Sequence, residues 1–179
     1  MKVTVTTIPT DSLTSHYLPA DYTDVFACET EGIHLLSPDD ILIAFLTDTP
    51  GWVNALFKLR NFLVGFVGLQ GSNDLDLTEI ENCIRTGSKC GFASVPAKNA
   101  SETVLLMSDK HLSACLSVHI KNRSESHKAV ISLITVVRFN NKLGNVYFFF
   151  IQPFHKIIVR SMLKRVILRL PKSDNRKTR

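Results

Sequence analysis

With 179 residues, 45% of them hydrophobic, the chain has the length and apolar content of one folded domain, which excludes a disordered chain and does not call for two cores. Its net charge of +5 is unevenly placed: residues 155–179 hold nine of the 21 Lys and Arg and one of the 16 acids, leaving 12 basic and 15 acidic residues, a net of −3, elsewhere. The basic balance is therefore a property of the C-terminal end and says little about the body of the protein.

The N-terminal residues 1–20 alternate weakly at Val3 and Val5 and contain Pro9 and Pro19, so they read as an extended arm followed by a loop. Residues 22–31 read as a first strand. Ser37-Pro38-Asp39-Asp40 is a helix start, because the serine hydroxyl accepts from free first-turn amides, proline presets φ and the carboxylates face the positive dipole end. The helix this predicts runs from Pro38 to about Leu46. Thr49-Pro50 repeats the signal, and Trp52, Val53, Leu56, Leu63 and Phe66 recur at helical spacing up to the glycines Gly65 and Gly68.

Residues 70–90 are mixed, with a turn at Gly71 to Asp74 and a short helix or crossing segment over Leu75 to Ile84. Four strands follow, over Gly91–Val95, Thr103–Ser108, Leu112–Lys121 and Ala129–Phe139, joined by short turn-like breaks that favour antiparallel neighbours. The last two are long for strands, which predicts twisting or bulging. Leu143 to Leu170 is a helical tract interrupted by Pro153, and Pro171 opens a flexible basic tail, 171–179. One strand, two helices, a run of antiparallel strands and a long last helix make an α+β order, one domain over 21–170. The simplest packing lays the final helix across a curved antiparallel sheet.

Cys28, Cys83, Cys90 and Cys115 form no C-x-x-C pair, and the N-terminus lacks the charged start and apolar run of a secretion signal, so reduced thiols, no metal site and a cytoplasmic location are expected. No apolar run reaches the roughly 20 residues of a membrane-spanning helix. The longest in the final tract, Val146 to Ile151, ends at Gln152-Pro153.

Four stretches carry a family resemblance: Trp52 to Asn61, Asp109-Lys110-His111-Leu112, Val136 to Gly144, and Tyr147 to Leu163 with Pro153-Phe154-His155 at its centre. Together they resemble the DUF2867 family of bacterial domains of unknown function, which also occurs joined to short-chain-dehydrogenase-like domains. The likeness runs from about Asp21 to Val166. It implies the helix-grip fold of the Bet v 1 and START-like proteins, a curved antiparallel sheet gripping a long C-terminal helix. That superfamily spans lipid carriers, receptors and enzyme components, so the resemblance implies no reaction. No Gly-rich dinucleotide fingerprint occurs, so no cofactor is expected in this chain, and one of that kind would come from a separate dehydrogenase-like partner.

Each candidate residue has a functional and a packing reading. Trp52 and Arg60, two helical turns apart on one face, supply a cavity wall and an anion anchor, or a core ring and a rim arginine paired with an acid such as Asp48. His111, in the Asp109-Lys110-His111 turn, is a proton carrier at a cavity mouth or a turn residue. Arg138 shares a strand face with Val136; pointing inward it would need an anion, and pointing outward nothing. Tyr147, Phe148, Phe149, Phe150, Phe154 and His155 line a cavity or anchor the last helix to the sheet. Lys156, Arg160 and Lys164 form a basic helix side that either holds water or meets an anionic membrane; nucleic acid is not an expected partner.

The leading functional expectation is an apolar or amphiphilic small molecule bound between sheet and final helix by Trp52, Tyr147 and Phe150, with Arg60 or Arg138 on its acid. The alternatives are catalysis by His111 or His155, and surface contact through the basic helix.

Overall fold

The alternating runs of the second half of the chain assemble into a curved, wholly antiparallel sheet of seven strands. The computed structural model describes residues 2–31, 37–53, 55, 76–123 and 128–169. Its elements are β1 (Val3–Val5), β2 (Tyr22–Glu31), α1 (Pro38–Thr47), α2 (Leu77–Thr86), β3 (Lys89–Cys90), β4 (Ala93–Lys98), β5 (Glu102–Ser108), β6 (Leu112–Arg123), β7 (Lys128–Phe139) and α3 (Lys142–Arg169). The sheet order is β1-β2-β7-β6-β5-β4-β3, so consecutive strands are neighbours except where β2 joins the last strand, β7.

Local chemistry explains the helix ends. Ser37 caps α1 in a reciprocal capping box with Asp40, and Pro38 occupies the first turn. Asp76 caps α2 through the amide of Thr78, and Gly87, at φ 69°, ends it in the left-handed conformation that glycine adopts without a Cβ penalty. Residues 51–53 and 55 are helical where the second helix was expected. The rest of that helix, with Arg60, lies outside the described residues, as does the tail 171–179.

β6 and β7 are twelve residues each and pair without a register shift. The irregularity expected in these long strands lies instead between β4 and β5, at Ser94/Ala97. Pro96 stands there, and without an N–H it cannot complete a ladder. The helical tract is one continuous helix of 28 residues that contains Pro153.

Both faces of the sheet are covered. Phe26, Cys28, Leu105, Leu116, Val118, Ile131 and Leu133 pack with Ile41, Leu42 and Phe45 of α1, Ile80 and Ile84 of α2, and Val159, Met162, Leu163 and Val166 of α3. On the opposite face, Val25, Val104, Cys115, Ile134 and Val136 pack against Ile8, Leu13, Tyr17 and Ala20. The N-terminal arm thus supplies an edge strand and then crosses the outer face as a short 3-10 turn, Leu13–Tyr17. Fully buried Glu102 holds it there, accepting from Ser12 Oγ (2.8 Å), the Leu13 amide (2.6 Å) and Ser117 Oγ (2.6 Å). With two covered faces, β7 has to be apolar on both sides, which is why it reads as a nearly unbroken hydrophobic run.

The β5–β6 turn meets the β7–α3 junction. Asp109 accepts from the amides of His111 and Leu112, closing the turn. The Asn140 amide donates to the His111 carbonyl (2.8 Å), Asn140 Nδ2 to Asp109 O and Asn141 Nδ2 to Lys110 O (both 2.9 Å). Asn141 Oδ1 then accepts from the Gly144 amide, capping the first turn of α3. A Cβ at Gly144 would stand 2.0 Å from the His111 carbonyl oxygen, a backbone atom that cannot step aside. Gly144→Ala is therefore expected to destabilise the fold by about 1–3 kcal/mol in urea denaturation. Gly51→Ala, where a Cβ meets no described atom within 4 Å, should stay within about 1 kcal/mol of the parent.

Candidate functional site

The face of β2 that turns toward the helices carries Tyr22, Asp24, Phe26 and Cys28, so one acid sits in an otherwise apolar or aromatic series. Asp24 is 8% exposed. Its ladder partner on β7 is Thr135, also buried. From above, α3 lowers His155 onto the pair, with Nε2 3.4 Å from Asp24 Oδ2, and Tyr22 Oη donates to the same oxygen at 2.5 Å.

Aromatic rings close one side of this group. Phe148 lies 4.7 Å from Tyr22 and 5.5 Å from Phe139 between ring centres, and His155 stands edge-on to Tyr22 at 6.1 Å. Lys156 Nζ is 5.9 Å from the centre of the Tyr22 ring, within range of a cation–π contact.

Burial opposes charge on Asp24, yet the contacts from His155 and Tyr22 outweigh it and hold the carboxyl below its ordinary range. Tyr22 shifts in the other direction, because burial and the neighbouring carboxylate both disfavour its phenolate. The two shifts agree: the arrangement suits an ionised Asp24 and a protonated Tyr22.

Three buried polar atoms here, Asp24 Oδ1, Thr135 Oγ1 and His155 Nε2, make no well-aligned hydrogen bond among the described residues, although Thr135 and His155 both stand close enough to Asp24 to lower its pKa. Such a cluster is costly unless its members pair with one another or with a further hydrogen-bonding group. The fourth such atom, His119 Nδ1, lies on the outer face, where His119 Nε2 is 3.6 Å from the Asp11 carboxylate.

Beside the group, a groove of about 680 Å³ opens at the edge of the sheet. One wall is the start of β2, Thr23 to Phe26; another is α3 at Lys156, Ile157 and Arg160; the third is the arm from Val5 to Ile8 together with Leu18. Val5, Leu18 and Ile157 expose apolar surface to it, and two cations stand on the helix side. Under α3, by contrast, Val159, Met162, Leu163 and Val166 fill the contact with the sheet core.

The other expected site residues are dispersed. Trp52 is 42% exposed on its short described helical segment. Arg138 is exposed on the outer side of β7, where Nη2 donates to the Pro19 carbonyl at 3.3 Å. His111 serves the junction beneath Gly144; its Nδ1 is 3.1 Å from Asn141 Nδ2. Eleven residues of α3, about 16 Å of helix, separate Gly144 from His155, so the two histidines do not share a site. Tyr147 is half-buried, whereas Phe149, Phe150 and Phe154 point outward at 69%, 63% and 47% exposure. Asp48 pairs with Arg165 and Arg169.

Sequence reasoning found His155 but missed Asp24, Tyr22 and Thr135. The available signal was the acid at every-second-residue spacing within Tyr22, Asp24, Phe26 and Cys28, a position where alternation calls for an apolar side chain. All four cysteines are free thiols, and burial raises Cys28 to about 11 and Cys115 to about 12, unlike the lowered values of reactive thiols. Among the described residues, no three His, Cys, Asp or Glu side chains converge as a metal site would require.

The architecture and this polar group define an α+β protein in which a long C-terminal helix lies on a seven-stranded antiparallel sheet, with an acid–histidine pair between them. The chain belongs to the family described as "Protein of unknown function (DUF2867)", whose model matches residues 17–162. No curated protein and no solved structure matches it. Within the described residues, no helix is long and apolar enough to cross a membrane.

Asp24 offers a direct test of the site's electrostatics. Its folded pKa is depressed, so its contribution is present above the unfolded carboxyl value near pH 4 and is lost as pH falls through the folded value. Asp24→Asn is expected to cost about 2 kcal/mol in urea denaturation at pH 7. The gap from the parent should narrow steadily below about pH 4.

Proposed function

We propose that the protein binds an amphiphilic small molecule carrying an acidic group, in the groove between the start of β2, the N-terminal arm and α3. The observation that carries this reading is the buried acid Asp24, which lines that groove together with Lys156 and Arg160 and meets Tyr22 and His155 behind it. A ligand hydroxyl or amide entering at Asp24 can donate to its carboxylate. Lys156 and Arg160 hold the acid, and Val5, Ile8, Leu18 and Ile157 line the path of an apolar chain.

The element order supports a helix-grip fold: a short and a long strand, helical segments, five consecutive antiparallel strands and a long helix, with the first long strand, β2, beside the last, β7. In this reading the ligand lies at the open edge of the grip, at the middle of the helix, rather than under its packed C-terminal half. The anchor is Lys156 with Arg160 in place of Arg60 or Arg138.

A second reading has one specific support, the 3.4 Å approach of Asp24 to His155. A carboxylate at that distance can orient an imidazole, as an acid–base catalyst requires. Any substrate would occupy the same groove, so the binding reading comes first.

Titration of the full chain with cis-parinaric acid, a fluorescent fatty acid, below its micelle-forming concentration tests the proposal. Saturable binding of one molecule per chain is expected, weakened about tenfold or more by Lys156→Gln with Arg160→Gln, a loss of about 1.4 kcal/mol or more. Phe150→Ser, on the outward side of α3, should leave it unchanged. Absence of saturable binding, or equal affinity in the doubly substituted chain, would overturn the groove reading.

A further inference from the structure

The outward face of α3 is apolar over its first half. Val146, Phe149, Phe150, Pro153 and Ile157 fall at i, i+3, i+4, i+7 and i+11, a single helical stripe, and Phe154 borders it. Val146 is 54% exposed and Ile157 60%, and the three phenylalanines stand outward as given above. The rings of Phe149 and Phe150 touch edge to face, so the stripe carries a formed aromatic cluster, and a shallow apolar depression runs beside it from Phe149 to Lys156. A patch of this kind on a folded surface marks an interaction site.

The same stripe then changes character. Its next positions are Arg160 and Lys164, both exposed, with exposed Lys156 on its flank. Across its 28 residues α3 contains six Lys or Arg and no Asp or Glu. Arg165 and Arg169 are turned inward to Asp48, whereas Lys156, Lys164 and Arg160, whose Nη2 donates to the Val3 carbonyl at 3.2 Å, stay exposed beside the aromatic stripe.

We infer that this face docks on an anionic lipid bilayer, with Phe149, Phe150, Phe154 and Ile157 entering the headgroup region and Lys156, Arg160 and Lys164 facing the lipid phosphates. Charge complementarity selects this occupant. Rings with adjacent cations and no acids match a surface that is apolar below and negative above, where apolar burial and electrostatic attraction act together. A second copy of the chain would offer these cations no acid in any packing of stripe on stripe, since α3 contains none, whereas lipid phosphates do. The helix lies on the surface and does not span it, in keeping with its length of charged and polar residues. The inference does not depend on the groove, although the groove opens beside Lys156 and Arg160 and would face the same surface.

The test is co-sedimentation of the full chain with vesicles of phosphatidylcholine alone and with about one third phosphatidylglycerol. Binding is expected only to the anionic vesicles, falling as salt is raised. Phe149→Ser/Phe150→Ser/Phe154→Ser should lower the bound fraction at least tenfold with the circular dichroism spectrum unchanged, since these side chains point away from the core. Neutralising Lys172, Arg176, Lys177 and Arg179 to Gln should lower it less than threefold. Failure of the parent chain to bind anionic vesicles overturns the inference. So does binding lost with the basic tail but kept by the triple serine chain, or a dimer in light scattering that the triple substitution dissociates while vesicle binding is absent.

Discussion

The lock between the β5–β6 turn and the β7–α3 junction is the constraint from which the rest of the molecule follows. Asn140 and Asn141 bind three consecutive backbone carbonyls of the turn, and the Gly144 backbone lies against the last of them. Helix α3 therefore starts at a defined place and with a defined rotation. At 100° per residue, that rotation decides the environment of every side chain along 28 residues. It turns Phe148, His155, Val159 and Leu163 toward the sheet and leaves Phe149, Phe150 and Ile157 outside. A helix rolled by one residue would trade His155 for Lys156 above Asp24.

The acid beneath the helix is set by a second constraint, the register of β2 on β7. Tyr22↔Val137 and Asp24↔Thr135 are Cα partners, and alternation places Tyr22, Asp24 and Thr135 on the helix side. A slip of one residue would send Asp24 to the outer face, where Val25 now meets the N-terminal arm. The polar group thus exists because two independent restraints, strand register and helix roll, converge on it.

Much of the fold was legible because its signals are local. The first strand matched over Tyr22–Glu31, the Ser37-Pro38-Asp39-Asp40 start became a full capping box, and the last two strands were placed to within two residues. Less legible was whatever depends on which surface lies opposite. The aromatic run Tyr147 to Phe150 looked like a core contact, but four consecutive helical residues span some 300° and cannot all face one sheet, so Phe148 is buried while Phe149 and Phe150 are not. The arm read as an extended segment followed by a loop; its docking on the outer face was not legible, because that depends on a distant partner, Glu102, ninety residues from Ser12. Lys156 and Arg160 read as a solvated face because nothing local reveals the groove beside them. His111 and the asparagines that carry part of the family resemblance have a structural use, the lock at the head of α3. Family membership is shown over residues 17–162, and within that span Tyr22, Asp24, Thr135 and His155 form a buried polar group on the helix side of the sheet.

The most direct measurement of where this protein holds a ligand is peptide-level hydrogen–deuterium exchange of the full chain with and without cis-parinaric acid. A site between β2, the arm and α3 requires slowed exchange in peptides covering 5–8, 18–26 and 156–160, with 142–150 unchanged. Protection confined to other segments, or none at any concentration that saturates the fluorescence signal, would contradict a site at the edge of the sheet.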